Sequence, residues 1–328
     1  DELRGRSFDV TTAALAPSAS SEPLPFVVLG PGRTHPRTLL ALVGAARSHD
    51  VIVAHGGPSL QPAATVAAVT RRPFIYRNIG DPEYWSTVPF SAVRIGAPLR
   101  RAEQVVALSP GIADWLIANF DVPASRVTVI PNAVDVTSFP PRTPAARQSM
   151  RASLGLDDDT FVLGYLGALS AEKRPLLAVE ATAARPGAHL VLAGDGPQQE
   201  EVEEAAARLA PGRVHLLGTV RRPAEVLAGL DALLLPSRTE GMPASLIEAA
   251  LVGVPVVATA VGTVPDLLDE LGCGTAVPVD STESFVATVR TFDPTTYDMD
   301  AARTAAMRYD VHTVVDQWGD ILRAAPHD

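Results

Sequence analysis

At 328 residues the chain has room for two domains of ~150 residues each, and 47% hydrophobic against 20% charged residues exclude an intrinsically disordered protein. With 37 acidic and 27 basic residues the net charge is −10, which excludes nucleic-acid binding through the surface as a whole. The single cysteine, Cys273, rules out an internal disulfide and any CxxC or Cys/His metal cluster.

Apolar runs rich in Val, Ile and Leu alternate with Ala-rich stretches of helical length. That pattern predicts parallel strands buried on both faces and joined by crossover helices. In the first half, strands are expected over 8–15, 26–30, 51–55, 74–77, 105–109 and 127–131, with helices over 37–47 and 62–70. Residues 132–144 contain Pro140, Pro141 and Pro144, lose all periodicity, and read as a linker. In the second half, strands are expected over 161–167, 190–194, 214–218, 232–236, 256–260 and 275–279, most of them ending in turn formers. The fold class predicted is α/β: two Rossmann-like, doubly wound domains, residues 1–138 and 139–310, facing a cleft. A terminal helix, 311–328, is expected to pack back on the first domain.

Charge follows the same division. Residues 1–140 carry 12 arginines and 11 acids, net +1, and the rest of the chain is net −11. No run of ~18 uncharged apolar residues predicts a membrane span. No basic and then apolar leader opens the chain, so a cytoplasmic location is expected, with Asp1 read as a trimmed start. Of the 27 basic residues only Lys173 is a lysine, which singles it out.

Residues 233–257, LLLPSRTEGMPASLIEAALVGVPVV, carry the most chemistry. A strand runs to Pro236, a loop holds Glu240 and Gly241, and a helix is predicted from about Pro243. Glu248 is the only charge in that helix, and no Lys or Arg stands one turn away. A carboxylate there needs a partner from outside its helix: a ligand at the free helix-start amides, or an arginine from another element.

Glu240 and Glu248 enclose seven residues, the E-x7-E signature of retaining nucleotide-sugar glycosyltransferases with the GT-B fold. The surroundings agree in order over nearly 200 residues: VIPNAVD (129–135), GALSAEK (167–173), GDGP (194–197), VHLLG (214–218), PSRTEG (236–241) and GVPVVAT (253–259). The chain therefore resembles glycosyltransferase family 4. The resemblance implies a nucleoside diphosphate sugar as donor substrate, no other cofactor and no metal. It places Glu240 at the sugar hydroxyls and Glu248 at the ribose. The donor-binding set it implies is Gly167, Lys173, Gly218, Glu240, Gly241, Met242, Pro243, Ala244, Ser245 and Glu248, with Lys173 and Glu240 at the reaction itself. Lys173 would neutralise the departing diphosphate, which helps take the acceptor proton in a front-face transfer. The acceptor is a lipid, a glycan or a small molecule. Nucleic acid is not expected as a partner, and peripheral contact with a membrane stays open.

Two departures from the family pattern stand out. Ala168 replaces the usual arginine, leaving one phosphate cation fewer unless Arg174 substitutes. The family's opening strand and Gly-Gly loop are also not seen: residues 1–5 read as the end of a helix and 8–15 as a second strand. These departures favour, as an alternative, a donor-binding homologue impaired in catalysis. On the acceptor side, His55, Asn78 and Asp81 are candidates. His55 could equally make a structural hydrogen bond, and Asp81 could cap the next segment. The triplet Asp157–Asp159 reads as a solvated loop, Cys273 has no histidine placed to activate it, and no GxGxxG supports an oxidoreductase.

Overall fold

The structure is a computed structural model that describes residues 2–17, 26–83 and 92–326. It divides into two compact units. Unit 1 comprises residues 1–132 and 312–328, and unit 2 comprises Ala133–Val311. Residues 133–138 thus pack with the second unit.

Unit 2 holds a six-stranded parallel sheet of β7 (Val162–Leu166), β8 (His189–Ala193), β9 (Val214–Gly218), β10 (Ala232–Leu235), β11 (Val256–Thr259) and β12 (Gly274–Val277), in the order β12-β11-β10-β7-β8-β9. The helices are α6 (Pro144–Ser153), α7 (Pro175–Ala184), α8 (Gln199–Leu209), α9 (Pro223–Ala228), α10 (Ala244–Val252), α11 (Val264–Leu271), α12 (Thr282–Thr291) and α13 (Met299–Ala306). The central strands are buried along their whole length because helices cover both faces, which is why their sequences run apolar without alternation. The core joins Leu163, Leu190, Leu192 and Leu234 to Leu177 and Val179 of α7 and to Phe285 of α12. Arg151 of α6 is fully buried. Its guanidinium pairs with Asp231 at 2.7 Å and donates to the carbonyls of Asp158, Thr160 and Gly229. The acidic triplet is thereby held by its backbone, with Asp157 and Asp159 exposed.

Unit 1 holds four parallel strands, β3 (Ile52–His55), β4 (Phe74–Arg77), β5 (Gln104–Ala107) and β6 (Val127–Val129), paired in that order. A separate parallel pair joins β1 (Ala13–Ala14) to β2 (Val27–Val28). The strand expected over 8–15 is therefore only two residues long. Its helices are α1 (Glu2–Gly5), α2 (Pro36–Arg47), α3 (Gly57–Thr70), α4 (Ala97–Arg101), α5 (Pro110–Phe120) and α14 (Val311–Ala324), whose residues from His312 onward belong to this unit. α14 is fixed to unit 1 by Asp316, 2.6 Å from Arg6, by Trp318 stacked on His55, and by Arg323 over Phe8.

Candidate functional site

The donor-side residues named from the sequence all lie at the carboxyl end of the unit 2 sheet, where open α/β sheets bind ligands. Gly167 follows the last residue of β7, and its amide donates to Ala193 O of β8. The following loop fits against the GDGP turn only because that turn lacks side chains. A Cβ on Gly194 (φ 146°) would lie 1.9 Å from Gly167 O, and one on Gly196 (φ 157°) would lie 2.5 Å from Leu169 O. Gly218 closes β9 with φ 64°, so its loop also turns where a side chain is strained.

This loop carries Lys173, whose Nζ lies 2.7 Å from Oε2 of Glu240. Glu240 is buried and its other oxygen accepts from Ser237 Oγ at 2.6 Å, while Lys173 keeps 29% of its side chain exposed. The lysine therefore joins a fixed carboxylate to open solvent. Arg238 N donates to Glu172 O, tying the two loops together beside the ion pair.

Gly241, Met242 and Pro243 are buried and lead into α10. Pro243 is the N-cap and supplies no side-chain hydrogen bond to the helix start, so no cap competes for the amides of Ala244 and Ser245. Both of these residues are half-buried. Thr263 holds the loop from behind, its Oγ1 donating to Gly241 O at 2.7 Å. One turn along α10, the half-buried Glu248 has no hydrogen bond or ion pair to any described residue, and burial pushes its carboxyl from 4.5 up to about 7. Of the two partners the sequence allowed, the arginine from another element is therefore not found among the described residues. Cys273 is buried and its thiol is likewise pushed up, to about 12.

Arg174 takes the left-handed conformation (φ 52°) at the start of α7, and its guanidinium donates to Val279 O and Thr282 Oγ1. It is turned to the β12 side and does not stand in for the arginine that Ala168 replaces.

In unit 1, His55 and Arg77 are register partners at the carboxyl ends of β3 and β4, and both lie by Trp318. Desolvation and the Arg77 charge hold the His55 imidazole below its ordinary range. Asn78 is buried, its Nδ2 donating to Gly80 O, and Asp81 accepts from the amide of Glu83, the capping alternative seen in the sequence. Arg77 was not singled out from the sequence. It is half-buried, donates to Asn132 Oδ1 at 2.8 Å, and meets no carboxylate among the described residues. The available signal was an arginine ending a predicted apolar strand.

Comparison with known proteins gives a consistent picture. The family model described as Glycosyl transferases group 1 matches residues 146–292, and the one described as Glycosyltransferase Family 4 matches residues 1–138. A 2-deoxystreptamine N-acetyl-D-glucosaminyltransferase of Streptomyces fradiae is 35% identical over 55% of this chain and 44% of its own length. A D-inositol 3-phosphate glycosyltransferase of Mycobacteroides abscessus is 28% identical over 70% of this chain and 52% of its own. The chain thus spans about half the length of the curated relatives it matches. Among solved structures, Anabaena HepE in complex with UDP-glucose has a TM-score of 0.77 at 25% identity, covering 92% of this chain and 86% of that one. Sucrose-phosphate synthase of Thermosynechococcus elongatus has a TM-score of 0.79 at 19% identity, covering 98% and 90%.

Proposed function

The chain belongs to glycosyltransferase family 4, and from that premise we propose that it moves a sugar from a nucleoside diphosphate sugar to an acceptor, with retention at the transferred carbon. The observation that carries the reading is the Lys173–Glu240 pair at 2.7 Å, beside the uncapped start of α10. Lys173 and the amides from Gly241 to Ser245 supply fixed positive charge for the diphosphate, and the buried Glu240 is positioned to bind sugar hydroxyls. Glu248, lacking a partner among the described residues, takes the ribose hydroxyls. The bond from the sugar to the diphosphate breaks, the acceptor oxygen bonds on the same face, and the acceptor proton passes to the departing phosphate oxygen. Positive charge from the chain makes a metal unnecessary in this scheme.

On the acceptor side, His55, Asn78 and Asp81 stand with Arg77. An arginine with no carboxylate partner among the described residues suits a small polar acceptor bearing negative charge, in keeping with the relatives named for D-inositol 3-phosphate. No described helix is long and apolar enough to cross a membrane, and we take the enzyme to work in the cytoplasm.

A second reading, a donor-binding homologue with impaired catalysis, is favoured by Ala168 together with the engagement of Arg174 by Val279 and Thr282. Calorimetric titration with UDP-, GDP-, TDP- and ADP-glucose, followed by product assays, separates the two. Binding of one donor with neither hydrolysis nor transfer selects the second reading. Unchanged donor affinity in both Lys173→Ala and Glu248→Ala would overturn the site itself.

A further inference from the structure

Glu240 is held at both carboxylate oxygens, and the two holds differ in kind. Oε1 accepts from Ser237 Oγ at 2.6 Å, a contact between two buried side chains. Oε2 meets Lys173 Nζ at 2.7 Å, on a side chain that stays partly exposed and has a second carboxylate, that of Glu172, at 4.0 Å. The first partner is a short side chain packed in the interior. The second is an ammonium on a flexible four-carbon stem.

The backbone around Ser237 makes its hold rigid. Ser237 stands two residues past the end of β10, and its carbonyl accepts from Oγ1 of Thr259, the last residue of β11. Thr259 is itself buried, and the same hydroxyl reaches Leu235 O at 3.3 Å, so it clamps the exit of β10. Lys173, by contrast, ends the turn 171–173 in the loop between β7 and α7. A group carried at strand ends keeps its place better than one carried on a loop. Tyr165, whose phenol feels the Glu240 charge, donates to Ala168 O at 2.7 Å, so its one proton is committed and cannot replace that of the serine.

Two groups compete for Lys173 on the transferase reading: the Glu240 carboxylate that it meets in the structure, and the diphosphate of a bound donor. A diphosphate with two negative charges draws the ammonium more strongly than one carboxylate does. We propose that Ser237 is the positioning residue that keeps Glu240 aimed at the donor sugar while Lys173 turns to the diphosphate, with Thr259 holding the serine in place. With Oε1 anchored, Oε2 is freed to accept from sugar hydroxyls as the ammonium withdraws. The serine proton is spent on Oε1, so the effect on the donor passes through Glu240. This role presupposes the transferase reading of Lys173 and Glu240 and adds a residue that the reading does not use.

Paired calorimetric titrations of the 328-residue chain test it, with UDP-, GDP-, TDP- and ADP-glucose each set against the matching free diphosphate. Ser237→Ala removes the hydroxyl, and Ser237→Cys replaces it with a much weaker donor while keeping the interior filled. Each should weaken the preferred nucleotide-glucose about tenfold or more and leave the free diphosphate within about twofold of wild type. Thr259→Val, which keeps the shape of threonine and loses its hydroxyl, should show the same pattern to a smaller extent. A merely structural serine would lower both affinities together, so an equal fall for nucleotide-glucose and diphosphate in Ser237→Cys overturns the proposal. Wild-type affinity for the nucleotide-glucose in both Ser237 variants overturns it as well and leaves the transferase reading standing. A wild-type chain that binds none of these ligands overturns that reading, and the positioning role with it.

Discussion

Between Glu240 and Gly262 there is no room for a methyl group: a Cβ on Gly262 would lie 1.8 Å from the carbonyl oxygen of Glu240, and Gly262 has φ 52°. The loop that presents the carboxylate rests directly on backbone. Gly262→Ala should therefore displace Glu240 and lower donor affinity at least tenfold. Strain and clash together should reduce stability by about 2 kcal/mol or more. Calorimetry with the preferred donor and a denaturant melt check both effects.

Lys173→Ala removes the cation at the proposed leaving group and leaves Glu240 with Ser237 alone. Loss of a fixed charge where charge develops predicts a fall of about 10²–10³ in kcat. The stability loss should be smaller, about 1–2 kcal/mol, because the lysine is partly solvated. Steady-state kinetics beside urea melts give both numbers, and a cycle with Glu240→Gln isolates the pair.

Glu248 titrates near neutrality for a physical reason, burial without a partner among the described residues. Its folded value, about 7, stands above the ordinary 4.5, so ionising it destabilises the fold. The cost is absent below about pH 4.5, grows as pH rises, and reaches about 3 kcal/mol above pH 7. Glu248→Gln should match wild type at pH 4 and exceed its stability by up to that amount at pH 8. Its donor affinity should nonetheless be lower at pH 8, where the ionised carboxylate accepts best. Melts and titrations at the two pH values check the opposed signs.

Arg77 holds Asn132 and lies 5.5 Å from the Trp318 ring, so it links β4 to both crossings of the chain out of unit 1. Arg77→Leu should loosen α14, destabilising unit 1 by about 1–2 kcal/mol. It should also raise KM for an anionic acceptor more than for a neutral one. Exchange at the α14 amides and kinetics with paired acceptors distinguish the two roles.

The strands of unit 2 were legible in the sequence because burial on both faces leaves apolar runs that Gly and Pro terminate. From Val162 to Val277 the expected and observed strands differ by at most two residues at their ends, and the strand over 214–218 coincides with its expected bounds. Glu248 could be recognised as a carboxylate with no local partner, and Lys173 as the only lysine. The pairing of Lys173 with Glu240 could not be read, since 67 residues separate them and only the approach of two βα loops brings them together. Arg174 shows the same limit. Its sequence position beside Lys173 suggested a shared role, but a left-handed backbone turns it to Val279. Unit 1 was harder because β1 and β2 are two residues each, too short for periodicity to define.

The one lysine of the chain has a practical consequence for chemistry on the protein. Amine-directed reagents find a single side chain besides the terminal amine, and it sits at the ion pair with Glu240. One covalent tag, fluorophore or crosslinker thus reports on this position alone, and its rate of attachment reads directly whether something covers the ammonium.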